Sequence, residues 1–423
     1  MHTCTALTEP SGLLRPRLEV ADIFRTYGPH YRTKYPMSPE QRKAMQNIEA
    51  CRTQSLGGHV DTCQHGCGYQ RISYNSCRNR HCPKCQGLQS MRWVEKRLEK
   101  ILPIPYFHMV FTVPHELHPI ILQNQQTLYN LLFQAAAKSL LEFALQWSRL
   151  QAEVGFTAIL HTWNQDILFH PHLHLIVTSG GLDQTHTRWI HSRDNFLVPV
   201  RPLSKIFRGK LLESLNRAFA KNVLIFQPHL QHPQKSGTFE GLIKKLYRKE
   251  WVVYCKRPLG GPEQVLKYLG LYTHKVAISN HRLVEINNGM VTFLARDNHN
   301  PGKRRSVCLP ADKFIRRFLT HILPSGFVKI RHYGLMAHKN TKTSLEKARA
   351  LIETLEKPPE MVSSTCPKGL SKARATTWLE MLFKITGIDL GTCPNCGGKL
   401  VRQPLTVLQN LQTPPGPYLL DSS

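Results

Sequence analysis

The chain has 423 residues, and its 56 lysines and arginines outnumber its 28 aspartates and glutamates, giving a formal net charge of +28 at pH 7. This length permits two or three domains with a substantial core, and the charge is typical of a protein that binds a polyanion. Membrane-surface binding is the other interpretation of such charge, but the basic residues are spread along the chain, and no apolar run approaches the ~20 residues of a membrane-spanning helix. The N-terminus lacks a signal-peptide core, so we expect a cytoplasmic protein whose partner is nucleic acid and not a membrane.

Predicted helices and strands alternate irregularly along the chain. A helix is predicted to begin after Ser38, which can cap it together with Gln41 at the capping-box position. Apolar residues at helical spacing predict further helices over 127–144 and 203–224. Strands are predicted over 106–113, 155–163, 169–177, 276–279, 283–286 and 290–294. This order indicates an α+β fold with a central antiparallel sheet.

Residues 51–85 are dense in cysteine and histidine. Seven of the twelve cysteines precede residue 86. In a chain without an export signal, this pattern favours metal-bound thiolates over disulfides. The spacing predicts one Zn²⁺ ion, bound in the manner of a zinc ribbon by Cys63, Cys67, Cys82 and Cys85. A second zinc ion remains an open alternative, and its possible ligands are Cys51, His59, Cys77 and His81.

Three histidines alternate along one predicted strand. Because alternate side chains of a strand share a face, His170, His172 and His174 are predicted to project one way. The intervening Leu173 and Leu175 would point the other way, into a core. Neighbouring imidazoles on a rigid strand can form part of a divalent-metal site. Histidine is also common as a structural residue, and the chain contains 22 of them.

A second strand, over 155–163, precedes the histidine strand and is separated from it by the polar turn Asn164-Gln165-Asp166. If the two strands pair as an antiparallel hairpin, His161 lies roughly opposite His172 and can complete a three-histidine face. The sequence therefore predicts a divalent-metal site formed by His161, His172 and His174.

Two tyrosines four residues apart follow a plausible helix start at Gly260-Gly261-Pro262. Residues four apart share one face of a helix, so the hydroxyls of Tyr268 and Tyr272 are predicted to lie side by side. The simpler interpretation is that both rings pack on a sheet as amphipathic side chains. A histidine-bound metal elsewhere in the chain favours a second interpretation, in which a tyrosine oxygen attacks a phosphate and forms a covalent intermediate.

These residues resemble the signature of a known family. His172-Leu173-His174 is similar to the HUH motif, histidine–hydrophobic–histidine, of single-strand DNA endonucleases. Tyr268–Arg282 resembles the tyrosine motif of the two-tyrosine HUH transposases of rolling-circle insertion sequences, the IS91 type. The likeness covers nearly the whole chain, including the cysteine-rich segment and residues 107–117. In conjugative relaxases, a related HUH class, a third metal histidine stands eleven residues before the pair, where this chain has His161.

The resemblance implies both a fold and a reaction. The HUH fold is an antiparallel sheet with the histidines at its centre and a tyrosine helix across it. The implied enzyme is a transposase of a bacterial-type cytosol that nicks and rejoins single-stranded DNA at element ends through a 5′-phosphotyrosine. It would use Mg²⁺ or Mn²⁺ at the histidines, with Tyr268 and Tyr272 as nucleophiles. Rejoining needs no ATP, and the sequence has no phosphate-binding loop of the Gly-x-x-x-x-Gly-Lys type.

The resemblance also implies that different segments of the chain have different roles. We expect a zinc-binding, DNA-recognition domain over 1–100, an HUH nuclease domain over 101–340 and a basic helical region over 341–423. The candidate DNA-binding residues of the zinc module are Arg71, Arg78, Arg80 and Lys84. These side chains could instead form a solvated charged face. Cys393 and Cys396 form half a zinc site, which could borrow ligands or be a redox-inert remnant.

Two other classes of function remain open from the sequence. One is a zinc-dependent regulator that binds nucleic acid, in which the histidines are structural and the tyrosines stack on bases. The other is a metallonuclease that uses water as its nucleophile. A covalent adduct between the protein and an oligonucleotide would distinguish the transposase from both.

Overall fold

The computed structural model describes residues 17–85, 90, 93, 97, 100–193, 196–226, 236–259, 265, 270, 276–297, 300, 302–355 and 389–405. Every helix within these residues lacks the length or the apolar character needed to cross a bilayer. The helices with described bounds are α1 (Val20–Lys34), α2 (Pro39–Ala50), α3 (His118–Gln123), α4 (Gln125–Glu142), α5 (Val200–Ala220), α6 (Ser236–Arg248), α7 (Ala311–Thr320) and α8 (Ser344–Leu355). The strands are β1 (Gly58–Cys63), β2 (Gln70–Tyr74), β3 (Tyr106–Thr112), β4 (Glu153–Trp163), β5 (Phe169–Leu182), β6 (Trp189–His191), β7 (Val253–Leu259), β8 (Leu283–Asn287), β9 (Met290–Arg296), β10 (Arg304–Pro310), β11 (Ile330–Gly334) and β12 (Leu400–Pro404).

A six-stranded antiparallel sheet carries the histidines. Its strand order is β11-β4-β5-β3-β7, with β6 added to β5. Strands β4 and β5 are joined by a turn in which the Asn164 side-chain oxygen accepts hydrogen bonds from the backbone N–H groups of Asp166 and Leu168, each 2.9 Å long. This side-chain mimic of a backbone turn closes the hairpin beside its first pair, Trp163 with Phe169. The register shifts by one residue between Trp163 and His161, and His161 lies directly opposite His172, as the sequence predicts.

One face of this sheet is apolar and packs against α4 and α5. Phe107, Met109 and Phe111 of β3 are fully buried there, as are Leu173 and Leu175 of β5. Burying an apolar side chain of this size contributes ~2 kcal/mol, so exchanging the two faces of β5 would cost many times that amount. The histidines must therefore lie on the opposite face.

Two three-stranded antiparallel sheets complete the described part of the fold. One has the order β10-β9-β8 and packs in a common core with α1 and α7. Phe24 of α1 and Phe318 of α7 meet edge to face there, with ring centroids 5.3 Å apart. The other sheet has the order β12-β1-β2, so a strand from late in the chain pairs with the first strand.

The expected fold class, α+β with a central antiparallel sheet and an N-terminal cysteine cluster, is confirmed. Ser38 caps α2 as predicted, since its hydroxyl accepts from the Gln41 N–H at 3.3 Å and its own N–H donates to the Gln41 side chain at 3.0 Å. The strand predicted over 276–279 is wrong. Ala277 has a left-handed backbone with φ of 51°, which interrupts an extended ladder at that point.

Candidate active site and zinc centres

Three histidines meet on the face of the central sheet opposite its apolar core. One ring nitrogen from each of His161, His172 and His174 lies within 4.8 Å of the other two. The Nε2 atoms of His172 and His174 are 3.0 Å apart, and the ring centroids of His161 and His174 are 4.5 Å apart. The predicted grouping of these residues is thus present in the fold, while their role as metal ligands stays a prediction.

Hydrogen bonds on the remaining ring nitrogens orient His172 and His174. Nδ1–H of His172 donates to the backbone oxygen of His170 at 2.7 Å, which leaves Nε2 of the neutral ring without a proton. Nδ1 of His174 lies 2.8 Å from Nε2 of His108, whose ring stacks beside it. Such contacts fix the tautomer and the ring plane of a metal-binding histidine. His108 therefore orients the His174 ring, a contact that the sequence pattern did not predict.

Burial keeps the imidazoles of His108, His172 and His174 neutral. It lowers the pKa of His108 and of His172 to about 4. Burial, with the neighbouring His161, also holds the pKa of His174 well below its ordinary value. Neutral imidazole is the form that binds a metal ion, so protons do not compete for these nitrogens at pH 7.

The histidine nitrogens fit a divalent cation. Two ligands at right angles, each ~2.1 Å from an ion, are ~3.0 Å from one another. This separation matches the 3.0 Å between Nε2 of His172 and Nε2 of His174. Imidazole binds several divalent ions, among them manganese, zinc and nickel.

The histidine cluster lines a cavity of about 930 Å³ whose wall is basic. Arg296 and Arg304 lie directly opposite one another in the β9–β10 pairing, where like charges repel. Among the described residues, no carboxylate pairs with Arg296, Lys303 or Arg304. Asp166, the one acidic residue of the described lining, forms an ion pair with Arg305. The cavity therefore attracts anions.

Tyr268 and Tyr272, the predicted nucleophiles, lie outside the described residues. Val265, which precedes them, is helical and packs in an apolar cluster with residues of β4 and β5 on the histidine face of the sheet. Ala277, which follows them, lines the cavity. The described residues before and after the two tyrosines thus lie at the histidine face.

A first group of four cysteines converges in the N-terminal region. The Sγ atoms of Cys51, Cys77, Cys82 and Cys85 all lie within 4.8 Å of one another. Sγ of Cys85 is 3.5 Å from that of Cys51 and 3.7 Å from that of Cys77. Zinc–sulfur bonds of ~2.3 Å in a tetrahedron place the sulfurs ~3.8 Å apart, so this group fits a structural zinc site.

The remaining N-terminal pair, Cys63 and Cys67, converges with Cys393 and Cys396. The predicted grouping of Cys63 and Cys67 with the Cys82-Pro83-Lys84-Cys85 knuckle is therefore wrong. The second pair of cysteines, Cys393 and Cys396, comes instead from the segment just before β12, the strand that pairs with β1. Local spacing carries no information about such a distant contact.

Of the other possible ligands, the two histidines lie outside both cysteine groups. Nε2 of His81 accepts a hydrogen bond from the backbone N–H of Leu323 at 3.1 Å. Burial lowers the pKa of His81 to about 3, so the ring is a neutral structural acceptor. His59 is buried on β1 and belongs to neither group.

The basic residues predicted to bind DNA make contacts within the protein. Arg71 and Lys84 form ion pairs, 2.7 and 2.8 Å long, with buried carboxylates. Arg80 donates hydrogen bonds to the backbone oxygens of residues 324 and 327. Arg78 has a left-handed backbone, with φ of 52°. Contact of these four residues with DNA stays a prediction, and substituting the first three should also weaken the fold.

Comparison with known proteins adds independent findings. A family model described as a putative transposase matches residues 155–344, and one described as a transposase zinc-binding domain matches residues 23–113. A putative transposase of Sinorhizobium fredii is 43% identical over 379 residues, which are 89% of this chain and 92% of that protein. The transposase for insertion sequence element IS801 of Pseudomonas savastanoi pv. phaseolicola is 26% identical over 366 residues, 83% of this chain and 80% of that protein. No solved structure matches.

Proposed function

Because the chain belongs to the IS91-type transposases with an N-terminal zinc-binding domain, we propose that it nicks and rejoins single-stranded DNA at the ends of an insertion sequence. The nick would leave a 5′-phosphotyrosine on the protein and a free 3′-OH on the DNA. The observation that carries this proposal is the cluster of His161, His172 and His174 in the wall of a basic cavity.

The three histidines would hold Mg²⁺ or Mn²⁺. Such an ion, when bound, neutralises charge on a non-bridging phosphate oxygen and helps the 3′ oxygen to leave. His172 and His174 can offer Nε2 because their Nδ1 atoms are engaged by the His170 backbone oxygen and by His108. The His161 ring stacks on Trp163 at a centroid distance of 4.5 Å, which holds it facing the other two.

The basic side of the cavity would bind the DNA backbone. A phosphate placed between Arg296 and Arg304 would relieve the repulsion of these opposed guanidinium groups. Lys303, next in the chain to Arg304, would bind an adjacent phosphate. These contacts are independent of base sequence and would hold the strand across the histidine cluster.

Tyr268 and Tyr272 would supply the nucleophile. The phenolic oxygen attacks phosphorus and loses its proton, a phosphorus–oxygen bond to tyrosine forms, and the bond to the 3′ oxygen breaks. The 3′ oxygen leaves and takes up a proton. The new ester conserves the phosphodiester energy, so a 3′-OH can reverse the step without ATP. Two tyrosines would allow two strands to be held in sequence.

The test is to trap the covalent adduct. The full-length protein is incubated with Mn²⁺ and a single-stranded DNA library that has a randomised centre and a fluorescent 3′ end. The label stays with the fragment whose 5′ phosphate joins the tyrosine, and labelled protein is detected after denaturation. We expect an adduct from the wild type and none from the Tyr268→Phe/Tyr272→Phe variant. Tyr254→Phe, at an exposed tyrosine of β7, is the matched control and should keep the adduct.

The other outcomes discriminate between the alternatives. An adduct in the double variant, mapped to a different residue, would overturn the tyrosine assignment. Cleavage without any adduct would support a metallonuclease with a water nucleophile, and binding without cleavage would support a regulator. His161→Ala should slow adduct formation without abolishing it, because water can replace a third metal ligand. An unchanged rate would remove His161 from the proposed site.

A further inference from the structure

The second cysteine group joins two distant parts of the chain. Cys63 and Cys67 lie within the matched zinc-binding domain, whereas Cys393 and Cys396 lie far beyond its end at residue 113. Cys63 and Cys396, whose sulfurs are 3.3 Å apart, are separated by 333 positions in the sequence. We propose that these four cysteines bind a second Zn²⁺ ion, which fastens residues 389–405 to the N-terminal sheet.

The sulfur positions of the second cysteine group fit a bound zinc ion. Sγ of Cys67 is 3.5 Å from Sγ of Cys393, and all four Sγ atoms lie within 4.8 Å of one another. A disulfide would require ~2.0 Å. These separations bracket the ~3.8 Å edge of a tetrahedral zinc–thiolate site. Binding would release the thiol protons to solvent and leave a compact tetrathiolate centre.

The backbone around each cysteine pair has the form of a zinc knuckle. The Gly66 N–H donates to the Cys63 oxygen at 3.2 Å, and the Gly397 N–H donates to the Cys393 oxygen at 2.9 Å. Both glycines have left-handed backbones, with φ of 68° and 70°. Residues with side chains adopt this conformation at a cost, so each turn depends on its glycine. Each turn brings its two thiols to one point, as a zinc ribbon requires of its two knuckles.

Contacts of the neighbouring strands bring the two turns together. β12 pairs antiparallel with β1 over its whole length. Asp61 of β1 is 2% exposed and accepts hydrogen bonds from Arg402 of β12 at 2.8 Å and from Arg71 of β2 at 2.7 Å. The Asp61 carboxylate therefore links all three strands of this small sheet.

The two cysteine groups differ in exposure, and this predicts different metal lability. Three cysteines of the first group are buried, whereas Cys67 and Cys396 of the second group are exposed. A chelator reaches an exposed thiolate site more easily than a buried one. The second zinc should therefore leave first, and its loss should free β12 while the first group remains intact.

Metal content and hydrogen exchange of the full-length protein test the proposal. We expect two zinc ions per chain in the wild type and one in the Cys393→Ser/Cys396→Ser variant. In that variant, amide exchange should rise in residues 58–63 and not in β4 or β5. Cys255→Ser/Cys308→Ser, which removes two cysteines outside both groups, should keep two zinc ions and wild-type exchange. Arg402→Gln should speed exchange in β1 and still bind two zinc ions, because it loosens β12 without removing a thiolate.

A titration of the wild type with a chelator covers the case in which the double variant fails to fold. The first zinc released should coincide with faster exchange in residues 58–63 and 400–404, and added zinc should restore protection. Two zinc ions retained in Cys393→Ser/Cys396→Ser would overturn the proposal. So would a wild-type protein, purified under reducing conditions, with one zinc ion, or with disulfides between these cysteines in its unreduced mass. None of these measurements depends on DNA cleavage.

Discussion

Replacing His108 by leucine should weaken divalent-metal binding at the histidine cluster about 10- to 100-fold. His108 is 4% exposed and lies on β3, beside the strand that carries His172 and His174. Its Nε2 is 2.8 Å from Nδ1 of His174. When Nε2 of His174 faces a metal ion, its Nδ1 carries the proton, so His108 must accept a hydrogen bond. Leucine cannot accept one.

The structure sets the size of the effect. A buried N–H that loses its acceptor costs ~1–3 kcal/mol, and each ~1.4 kcal/mol is a tenfold change in a binding constant. The penalty applies only to the His174 tautomer that binds metal, so the substitution lowers the affinity for the metal ion. His108→Gln should restore most of the affinity, because a glutamine side chain can place its amide oxygen near the position of Nε2 and accept the same hydrogen bond.

The assay is manganese binding to full-length protein that carries zinc at its cysteine groups and has been freed of excess zinc. Free Mn²⁺ is measured by electron paramagnetic resonance, and the tetrathiolate groups do not interfere because they hold zinc in preference to manganese. The matched control is His332→Leu. His332 lies in the same sheet and is bonded through Nδ1 to the Thr157 hydroxyl at 2.8 Å, so its loss does not touch the cluster.

Two results would refute this reasoning. One is a folded His108→Leu protein whose Mn²⁺ affinity is within a factor of about two of the wild type, well below the tenfold lower bound. The other is an equal loss of affinity in His332→Leu, which would show that replacing any histidine of the sheet has the same effect. Failure of His108→Gln to recover affinity would assign the effect to packing rather than to the hydrogen bond.

His172→Ala and His174→Ala should each abolish adduct formation while leaving folding and DNA binding largely intact, because the core face of β5 is unchanged; undiminished activity in both would exclude the cluster as the metal site. Arg296→Gln/Arg304→Gln should weaken single-stranded DNA binding and lower the slope of log affinity against log salt concentration by ~1.4, as expected for two lost phosphate contacts; an unchanged slope would place the DNA elsewhere. Burial lowers the pKa of Lys329 to about 7, so the folded state disfavours the charged amine that the unfolded chain keeps up to about pH 10. Lys329→Met should therefore stabilise the protein by up to ~4 kcal/mol near pH 7, and its advantage in melting temperature should shrink as the pH rises toward 10; a constant advantage across that range would show that folding does not lower the pKa of Lys329.

The features that follow from local rules could be read from the sequence. Strand alternation placed His172 and His174 on one face, because neighbouring side chains of a strand must point to opposite sides. The short turn at Asn164 makes the two strands a hairpin, so their spacing predicted that His161 lies close to His172, and a one-residue register shift between His161 and Trp163 places the two directly opposite. The cap at Ser38 likewise involves residues only three positions apart. In each case the determining contact is close in sequence.

Tertiary structure decided which distant residues meet. The position of His108 against His174 depends on β3 lying beside β5, and an alternating pattern does not specify strand order. The opposed Arg296 and Arg304 belong to a hairpin whose placement at the histidine face is a matter of long-range packing. The basic patches of the sequence were equally ambiguous, since Arg80 is engaged with backbone oxygens of a remote loop.

The cysteines show most clearly which features follow from the local sequence and which depend on tertiary structure. Their number and their pairwise spacing predicted zinc, because a chain segment so rich in thiols and without disulfides needs a metal to hold them. The partition of ligands depended on the pairing of β1 with β12, which brings Cys393 and Cys396 to Cys63 and Cys67. The spacing within each pair of cysteines is the same whichever other pair binds the same zinc ion. Only the closure of the sheet between distant parts of the chain distinguishes one combination from another.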